Sequence, residues 1–382
     1  MDEIDGKMLI RLHLRDERVA LVNIHSNSGF NPADQLISQT LSDLPEIITK
    51  QPVTSPYAFR IAADMAIEDA LGVEKKENLQ LARQLLLSAE AITELLSRDL
   101  IQWKKLLDEE GFETTENILS SFVDDIAKSL FSAEGNEKRH NQIKELIDHM
   151  EETLANKILG MPTVSWMAMQ DQDQVMSWII EGQSLGARMI GWLVAKEWEF
   201  EFQTGVPFLV EEEIADVAKM FQSAYVTSFL DSPDLNGACR ETGCYARQHK
   251  AQPVLLAMEL YGQGLIPRMF ATLTDLAFHV QQMKQYLGQL SGSLDKHEYG
   301  TDSGNGLAAV ESTSGKLIHH VEIEQGCVRN FQVVVPSQWN FHRQGTLTQM
   351  LTSLKNSDDL ELFCRLIIGS LDPCVDYELQ IS

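Results

Sequence analysis

Basic residues are scarce: Lys and Arg total 31 against 56 Asp and Glu, a formal net charge of −25 over 382 residues. That sign opposes nucleic-acid phosphates and anionic lipid, and no run of lysines and arginines offsets it locally. Uncharged apolar runs of membrane-spanning length are missing too. The nearest, residues 176–195, contains Glu181 and Arg188 and reads as a buried helix. The opening Met1-Asp2-Glu3-Ile4-Asp5 is acidic and has no signal-type apolar stretch. Cysteine is limited to five, an odd number, in a chain too large to need disulfide staples. These absences point to a cytoplasmic setting, with no nucleic-acid partner and no membrane insertion.

Common catalytic signatures are absent as well. Gly262-Gln263-Gly264 lacks the third glycine and the preceding strand of a dinucleotide loop. No Gly-x-Ser-x-Gly occurs, and Ser291-Gly292-Ser293 sits in a linker, not a strand-to-helix turn.

What is present is mostly helical pattern, long enough to bury a large core. Residues 7–24 alternate as an N-terminal β-hairpin around Arg15-Asp16-Glu17, and a short helix is expected near 34–41. A helical core is expected over 57–290. It holds a helix from about Tyr57 to Leu71, a long one after Asn78, another over 143–158, and further ones over 175–194 and 210–229. The clearest opens at Pro267, where Met269, Leu273, Leu276, Val280, Met283, Leu287 and Leu290 step by three or four. Residues 131–141 read as a loop and 291–306 as a glycine- and serine-rich linker. Beyond the linker, 307–382 holds a β-hairpin with a three-residue Glu324-Gln325-Gly326 turn, then a helix, then a cysteine turn. The fold class expected is α-rich (α+β), a single domain over 1–382 with β-hairpins near both ends.

That last turn, Asp372-Pro373-Cys374, is the best mount for chemistry in the chain. Pro373 has its φ fixed, and Asp372 before it is pushed out of the right-handed helical region, so one thiol is aimed in one direction. Upstream, Asp358-Asp359-Leu360-Glu361 looks like a capping box, and Gly369 is expected to stop the helix.

Asp-Pro-Cys near a C-terminus resembles the end of nickel–iron hydrogenase large subunits, Asp-Pro-Cys-x-x-Cys-x-x-His. Val335-Pro336-Ser337-Gln338-Trp339-Asn340 is similar to that family's Val-Pro-Thr-Thr-Trp-Asn. Glu241-Thr242-Gly243-Cys244-Tyr245-Ala246-Arg247 resembles its Glu-x-Gly-Pro-Leu-Ala-Arg, and residues 66–72 its Ala-Leu-Glu-x-Ala-Leu-Gly. Four matches in order imply a hydrogenase large-subunit-like helical core. The departures imply the degenerate relatives, hydrogenase expression/formation proteins of the HupK/HoxV type.

The family holds nickel and iron on four thiolates in two Cys-x-x-Cys pairs. The resemblance puts Pro52 and Ser55 at the first pair and Phe59 at the histidine that follows it. The last pair becomes Cys374 and Tyr377, with Gln380 at the closing histidine. One thiolate of four remains, so the resemblance implies no nickel and no hydrogen turnover. Ser314 stands where the family has an arginine over the metal, and Asp5 where it has a proton-relaying glutamate. Without the closing histidine, maturation cleavage is not expected. A single thiol implies a carrier: Cys374 transiently holding an Fe(CN)2CO fragment, with Asp372, Ser314 and His319 around it. The implied partners are the maturation proteins that deliver the iron, and a hydrogenase large or small subunit. The alternative is a catalytically dead paralogue serving as a structural subunit of a hydrogenase or redox complex.

Cys239 or Cys244 is a candidate second ligand, but their spacing is not Cys-x-x-Cys and no histidine motif completes a zinc site. Cys327, on a strand, and Cys364, in an apolar helix, read as core. His319 and His320 point to opposite faces of a strand and cannot chelate together. Glu211-Glu212-Glu213 opens a helix, where negative charge is favoured without any functional role.

Overall fold

Met8, Ile10 and Leu12 alternate with Leu9 and Arg11, and every second side chain is buried; this period of two makes β1 (Met8–Arg15). Asp16 and Glu17 both take positive φ (51° and 58°), a two-residue turn whose twist suits a hairpin, and β2 (Arg18–Ser26) returns antiparallel. The computed structural model describes residues 7–26, 35–50, 53–132, 135–198, 204–294, 299–352 and 354–382.

Helices follow as α1 (Leu44–Thr49), α2 (Pro56–Ala70), α3 (Glu77–Leu107), α4 (Glu113–Leu119), α5 (Phe122–Leu130) and α6 (Asn136–Thr153). The last continues as a π-helical turn, Leu154–Leu159. Then come α7 (Thr163–Met167), α8 (Gln172–Glu181), α9 (Leu185–Ala195), α10 (Ile214–Phe221), α11 (Val226–Asp231), α12 (Cys244–Gln248), α13 (Gln252–Tyr261) and α14 (Leu265–Gln289). The chain closes with β3 (Gly304–Ser312), β4 (Gly315–Glu324), β5 (Cys327–Val334), α15 (Pro336–Asn340), α16 (Thr346–Leu351), α17 (Leu360–Ser370) and β6 (Tyr377–Ile381). No helix among the described residues is long and apolar enough to cross a membrane. This is the α-rich fold with β-structure near both ends that the sequence pattern calls for.

Two compact units form from discontinuous stretches. One gathers residues 1–74, 201–246 and 298–382; the other gathers 75–200 and 247–297. The helical stretch expected over 57–290 therefore divides between them.

The first unit is built on two small sheets. One has the order β2-β1-β6, with β6 parallel to β1 (Met8 opposite Tyr377, Leu12 opposite Ile381). The other is an antiparallel β3-β4-β5 meander. Helix α2 lies directly on β3, and two glycines permit it. A Cβ on Gly304 would stand 1.9 Å from the Ala70 carbonyl oxygen, and one on Gly306 would stand 2.1 Å from that of Ala66. Asp69 at the end of α2 accepts the Leu307 N–H at 2.9 Å. Behind β4, Ile318, Val334, Trp339, Phe221, Phe229 and Val217 form a core cluster.

The second unit is organised on α3 and α14, whose continuous apolar stripes pack together, with α5, α6, α7, α9 and α13 around them. Buried within α14, Asp275 receives Arg247 at 2.6 Å and Gln248 at 2.8 Å. His279 Nε2 stands 3.4 Å from the same carboxylate, and its Nδ1 lies 3.2 Å from Ser88 Oγ. Burial alone would raise the Asp275 pKa; Arg247, then His279, pull it well below the carboxylate range.

Several expectations are corrected. The linker over 291–306 gives way to strand at Gly304, where the glycines serve close packing instead of looseness. The segment from Gln35 to Leu41 forms turns, because its backbone bonds to β5 and the turn before it: Ser38 N–H to Val328 O, and Leu41 N–H to Gly326 O. The loop over 131–141 becomes helical from Asn136. The helix over 175–194 breaks at 182–184, where the Ser184 hydroxyl accepts the Ala187 N–H and starts α9 afresh. The β4–β5 turn has two residues, not three, with Gln325 and Gly326 both at positive φ. Asp359 caps α17 without a side-chain hydrogen bond, and the helix runs through Gly369. What stops it is Asp372, left-handed at φ 49° ahead of Pro373.

Candidate functional site

The cysteine turn is fixed on both sides, by α17 before it and β6 after it. Three segments quoted for the resemblance meet there. Asn340 is fully buried; its Nδ2 donates to the Leu371 carbonyl (3.2 Å) and the Thr242 carbonyl (3.0 Å), while its Oδ1 accepts the Thr242 N–H (2.9 Å). Three residues earlier, Ser337 Oγ accepts the Cys374 N–H at 2.8 Å. One asparagine and one serine of a single short helix thus set the position of the cysteine and of the segment leading to Cys244.

Two further hydroxyls complete the corner. Ser314, at the tip of the β3–β4 hairpin, donates to Asp372 Oδ2 at 2.8 Å, and Thr54 Oγ1 donates to the Cys374 carbonyl at 3.2 Å. Thr54 leads into Ser55, which is buried and left-handed (φ 51°) at the start of α2. The loop before α2 and the Cys374 turn are therefore neighbours.

Cys374 itself is half-buried. Burial raises its pKa, and the Asp372 carboxylate adds to the rise, while the Ser337 and Ser314 hydroxyls beside the sulfur work the other way. The result is a thiol that stays protonated at neutral pH, with two hydroxyls and a carboxylate beside it. It is a poor free nucleophile, because the thiolate is the reactive form.

The other expected positions are placed as follows. Pro52 and Asp5 lie outside the described residues. Tyr377 opens β6 opposite Met8, with Arg365 over its ring at 6.0 Å. Cys239 is buried and its thiol donates to the Gln344 carbonyl at 3.3 Å; burial raises its pKa. Cys244 is buried at the start of α12. Cys364 is buried, its pKa pushed up to about 12. Among the described residues no group of three or more His, Cys, Asp and Glu is placed to hold a metal ion.

His319 faces α2, edge-on to Phe59 at 4.5 Å and Phe331 at 5.3 Å, fully buried and without a hydrogen bond to either ring nitrogen. Burial brings its pKa down to about 3. His320 points to the other face, bonded to Gln332 and stacked on Phe221. Sequence reasoning missed Thr54, Ser337 and Asn340 as the groups that hold the turn, although Ser337 and Asn340 lie inside a quoted motif.

Residues 257–376 match the family described as nickel-dependent hydrogenase. The chain is 30% identical over 159 residues to the hydrogenase expression/formation protein HupK of Bradyrhizobium diazoefficiens, covering 40% of this chain and 42% of that protein. It is 27% identical over 183 residues to HupK of Rhizobium leguminosarum bv. viciae, covering 46% of each, and 31% identical over 85 residues to HoxV of Cupriavidus necator, covering 21% and 22%. The matches thus span less than half the length of these curated relatives. Among solved structures, the reduced Ni-Fe-Se hydrogenase from D. vulgaris Hildenborough superposes with a TM-score of 0.59 over 94% of both chains at 13% identity. The reduced, active enzyme from Desulfomicrobium baculatum does so at 0.59 over 95% at 16% identity. At such identity the likeness is one of fold. The chain is similar in fold to Ni-Fe-Se hydrogenases, and in part of its sequence to hydrogenase expression/formation proteins of the HupK/HoxV type, as its motifs imply.

Proposed function

We propose that this protein is a non-catalytic accessory scaffold in nickel–iron hydrogenase maturation that holds an Fe(CN)2CO fragment transiently on Cys374. The observation that carries the reading is the setting of that thiol, which is half-buried and flanked by the Ser314 and Ser337 hydroxyls and the Asp372 carboxylate. Cyanide and carbon monoxide fill three positions on a six-coordinate iron, so one thiolate suffices for a temporary hold. A soft sulfur suits the metal, and the Ser337 hydroxyl, which accepts the Cys374 N–H, keeps its own proton to donate to a cyanide nitrogen.

The neutral thiol fits a carrier. It must give up its proton to take the iron, so the empty protein has no standing thiolate to trap other soft metals. Ser55 and Tyr377, at the positions of two lost thiolates, keep the hold weak and the iron transferable. The names of the matched relatives support an accessory role, and they favour formation over catalysis. The partners in this reading are the maturation proteins that deliver the iron and a hydrogenase subunit that receives it.

The test is co-expression with the iron-delivering machinery, followed by infrared spectroscopy of the purified protein. Cyanide and carbonyl stretching bands are expected on the wild type and lost in Cys374→Ser. A bandless protein recovered in a stoichiometric complex with a hydrogenase subunit would transfer support to the structural-subunit reading.

A further inference from the structure

The second unit carries an open groove of about 670 Å³ that lies between the segment after the π-helical turn and α8. Its apolar walls come from Met161, Met169 and Trp178, and its rim carries Asp171, Asp173 and Glu181. No lysine or arginine lines it, and among the described residues none of the three carboxylates has an ion-pair partner. On the helices that contribute to the groove, Ile180 of α8 is 73% exposed and Val164 of α7 is 59% exposed.

The floor is rigid. Trp178 is buried against Trp166 and Phe270 with ring centroids at 4.9 and 5.5 Å, and its Nε1 donates to the Leu159 carbonyl at 2.6 Å. That bond satisfies a carbonyl at the end of the π-helical turn, an irregularity that nature often keeps beside working surfaces. A preformed floor lowers the ordering cost of binding.

We infer that this groove is a docking site for a basic amphipathic segment of a partner protein, one apolar side chain entering between Met161 and Trp178 while lysines or arginines meet Asp171, Asp173 and Glu181. The sign of the occupant follows from the rim: an acidic or neutral segment would leave three carboxylates facing apolar contact without a counter-charge. A second copy of this chain, at −25, is a poor occupant for the same reason. The inference does not depend on what Cys374 holds.

The test uses the full chain and a defined probe: a synthetic helix of about 18 residues with leucine on one face and lysine on the other. Hydrogen exchange should show protection over residues 161–182. In about 0.1 M salt, Asp171→Asn, Asp173→Asn and Glu181→Gln combined should weaken binding about tenfold, the loss expected of three partly exposed ion pairs. Asn at 171 keeps the cap that accepts the Gln174 N–H, so α8 survives. Neutralising Glu137, Glu145 and Glu152 on α6 removes the same charge and should leave affinity unchanged, whereas Ile180→Ser should weaken it. Equal loss from the α6 control, protection elsewhere, or equal binding of a leucine–glutamate peptide would each overturn the proposal.

Discussion

Ser314 Oγ lies 2.8 Å from Asp372 Oδ2, tying the tip of the β3–β4 hairpin to the residue that turns the chain into Pro373 and Cys374. Where the resemblance calls for a guanidinium there is a hydroxyl, and the carboxylate it bonds faces the thiol with no arginine at position 314 between them. Burial is the first cause of the raised Cys374 pKa; the Asp372 carboxylate adds to it and the Ser337 and Ser314 hydroxyls oppose it.

Removing the carboxylate should change the thiol. Because Asp372 raises the Cys374 pKa, Asp372→Asn is expected to lower it, and Ser337→Ala to raise it by removing a hydroxyl beside the sulfur. Alkylation rate against pH, followed at Cys374 by mass spectrometry, reads both directions. A midpoint unmoved in Asp372→Asn would remove the carboxylate from the account.

Asn340→Ala should unfasten the site. It leaves the Thr242 N–H and two carbonyls without their buried partner, at roughly 1–3 kcal/mol for each group left unsatisfied. Urea unfolding checks the stability loss, and faster alkylation of Cys374 checks the loosening of the turn. A variant as stable as wild type would show that the bridge is dispensable.

Gly306→Ala tests the packing of α2 on β3. The added methyl would meet Ala66 and Ala70 backbone atoms at 2.1–2.8 Å, so the strand must move, at a cost of roughly 1–3 kcal/mol or more. Thermal unfolding gives the size, and an exposed control such as Gly205→Ala, with open space around it, should be nearly silent.

Arg247→Ala should destabilise the second unit by about 3 kcal/mol, since it leaves a buried carboxylate to Gln248 and His279 without its guanidinium. The Asp275 pKa is depressed, so its contribution is present above the ordinary carboxylate pKa and fades as pH falls below it. Unfolding at neutral and at strongly acidic pH should therefore find wild type and variant far apart in the first case and closer in the second.

His319 gives an opposite titration with the same sense. Its folded pKa is about 3, far below that of a free imidazole, so between those values the unfolded chain takes up a proton that the folded chain refuses. Stability is retained above about pH 6.5 and lost as pH falls toward 3, at up to about 1.4 kcal/mol per pH unit. His319→Phe should flatten that slope in denaturant titrations at pH 5 and 7; an unchanged slope would exclude the residue as its source.

Much of the frame was legible because local pattern and final environment agree. Met8, Ile10 and Leu12 alternate and are buried; the stripe along α14 is buried as its spacing requires. The cysteine turn was legible because Asp-Pro constrains its own backbone. Strand β6 was not, since Tyr377–Ile381 is short, only partly buried, and takes its hydrogen bonds from a strand at the other end of the chain. Strand β3 was hidden by Gly304 and Gly306, which look like flexibility in sequence and act as clearance in the fold. The polar corner was equally invisible: Thr54, Ser314 and Ser337 are ordinary small polar residues until three distant segments converge on Cys374.

Pairing of β6 with β1 joins residues such as Arg11 and Gln380, 369 positions apart in sequence. During synthesis the β1–β2 hairpin must wait with the β1 edge unpaired until β6 has left the ribosome. The flank that steadies Cys374 thus closes only after every residue between β1 and β6 has been made, and a nascent chain that lacks β6 cannot present the thiol in its finished setting.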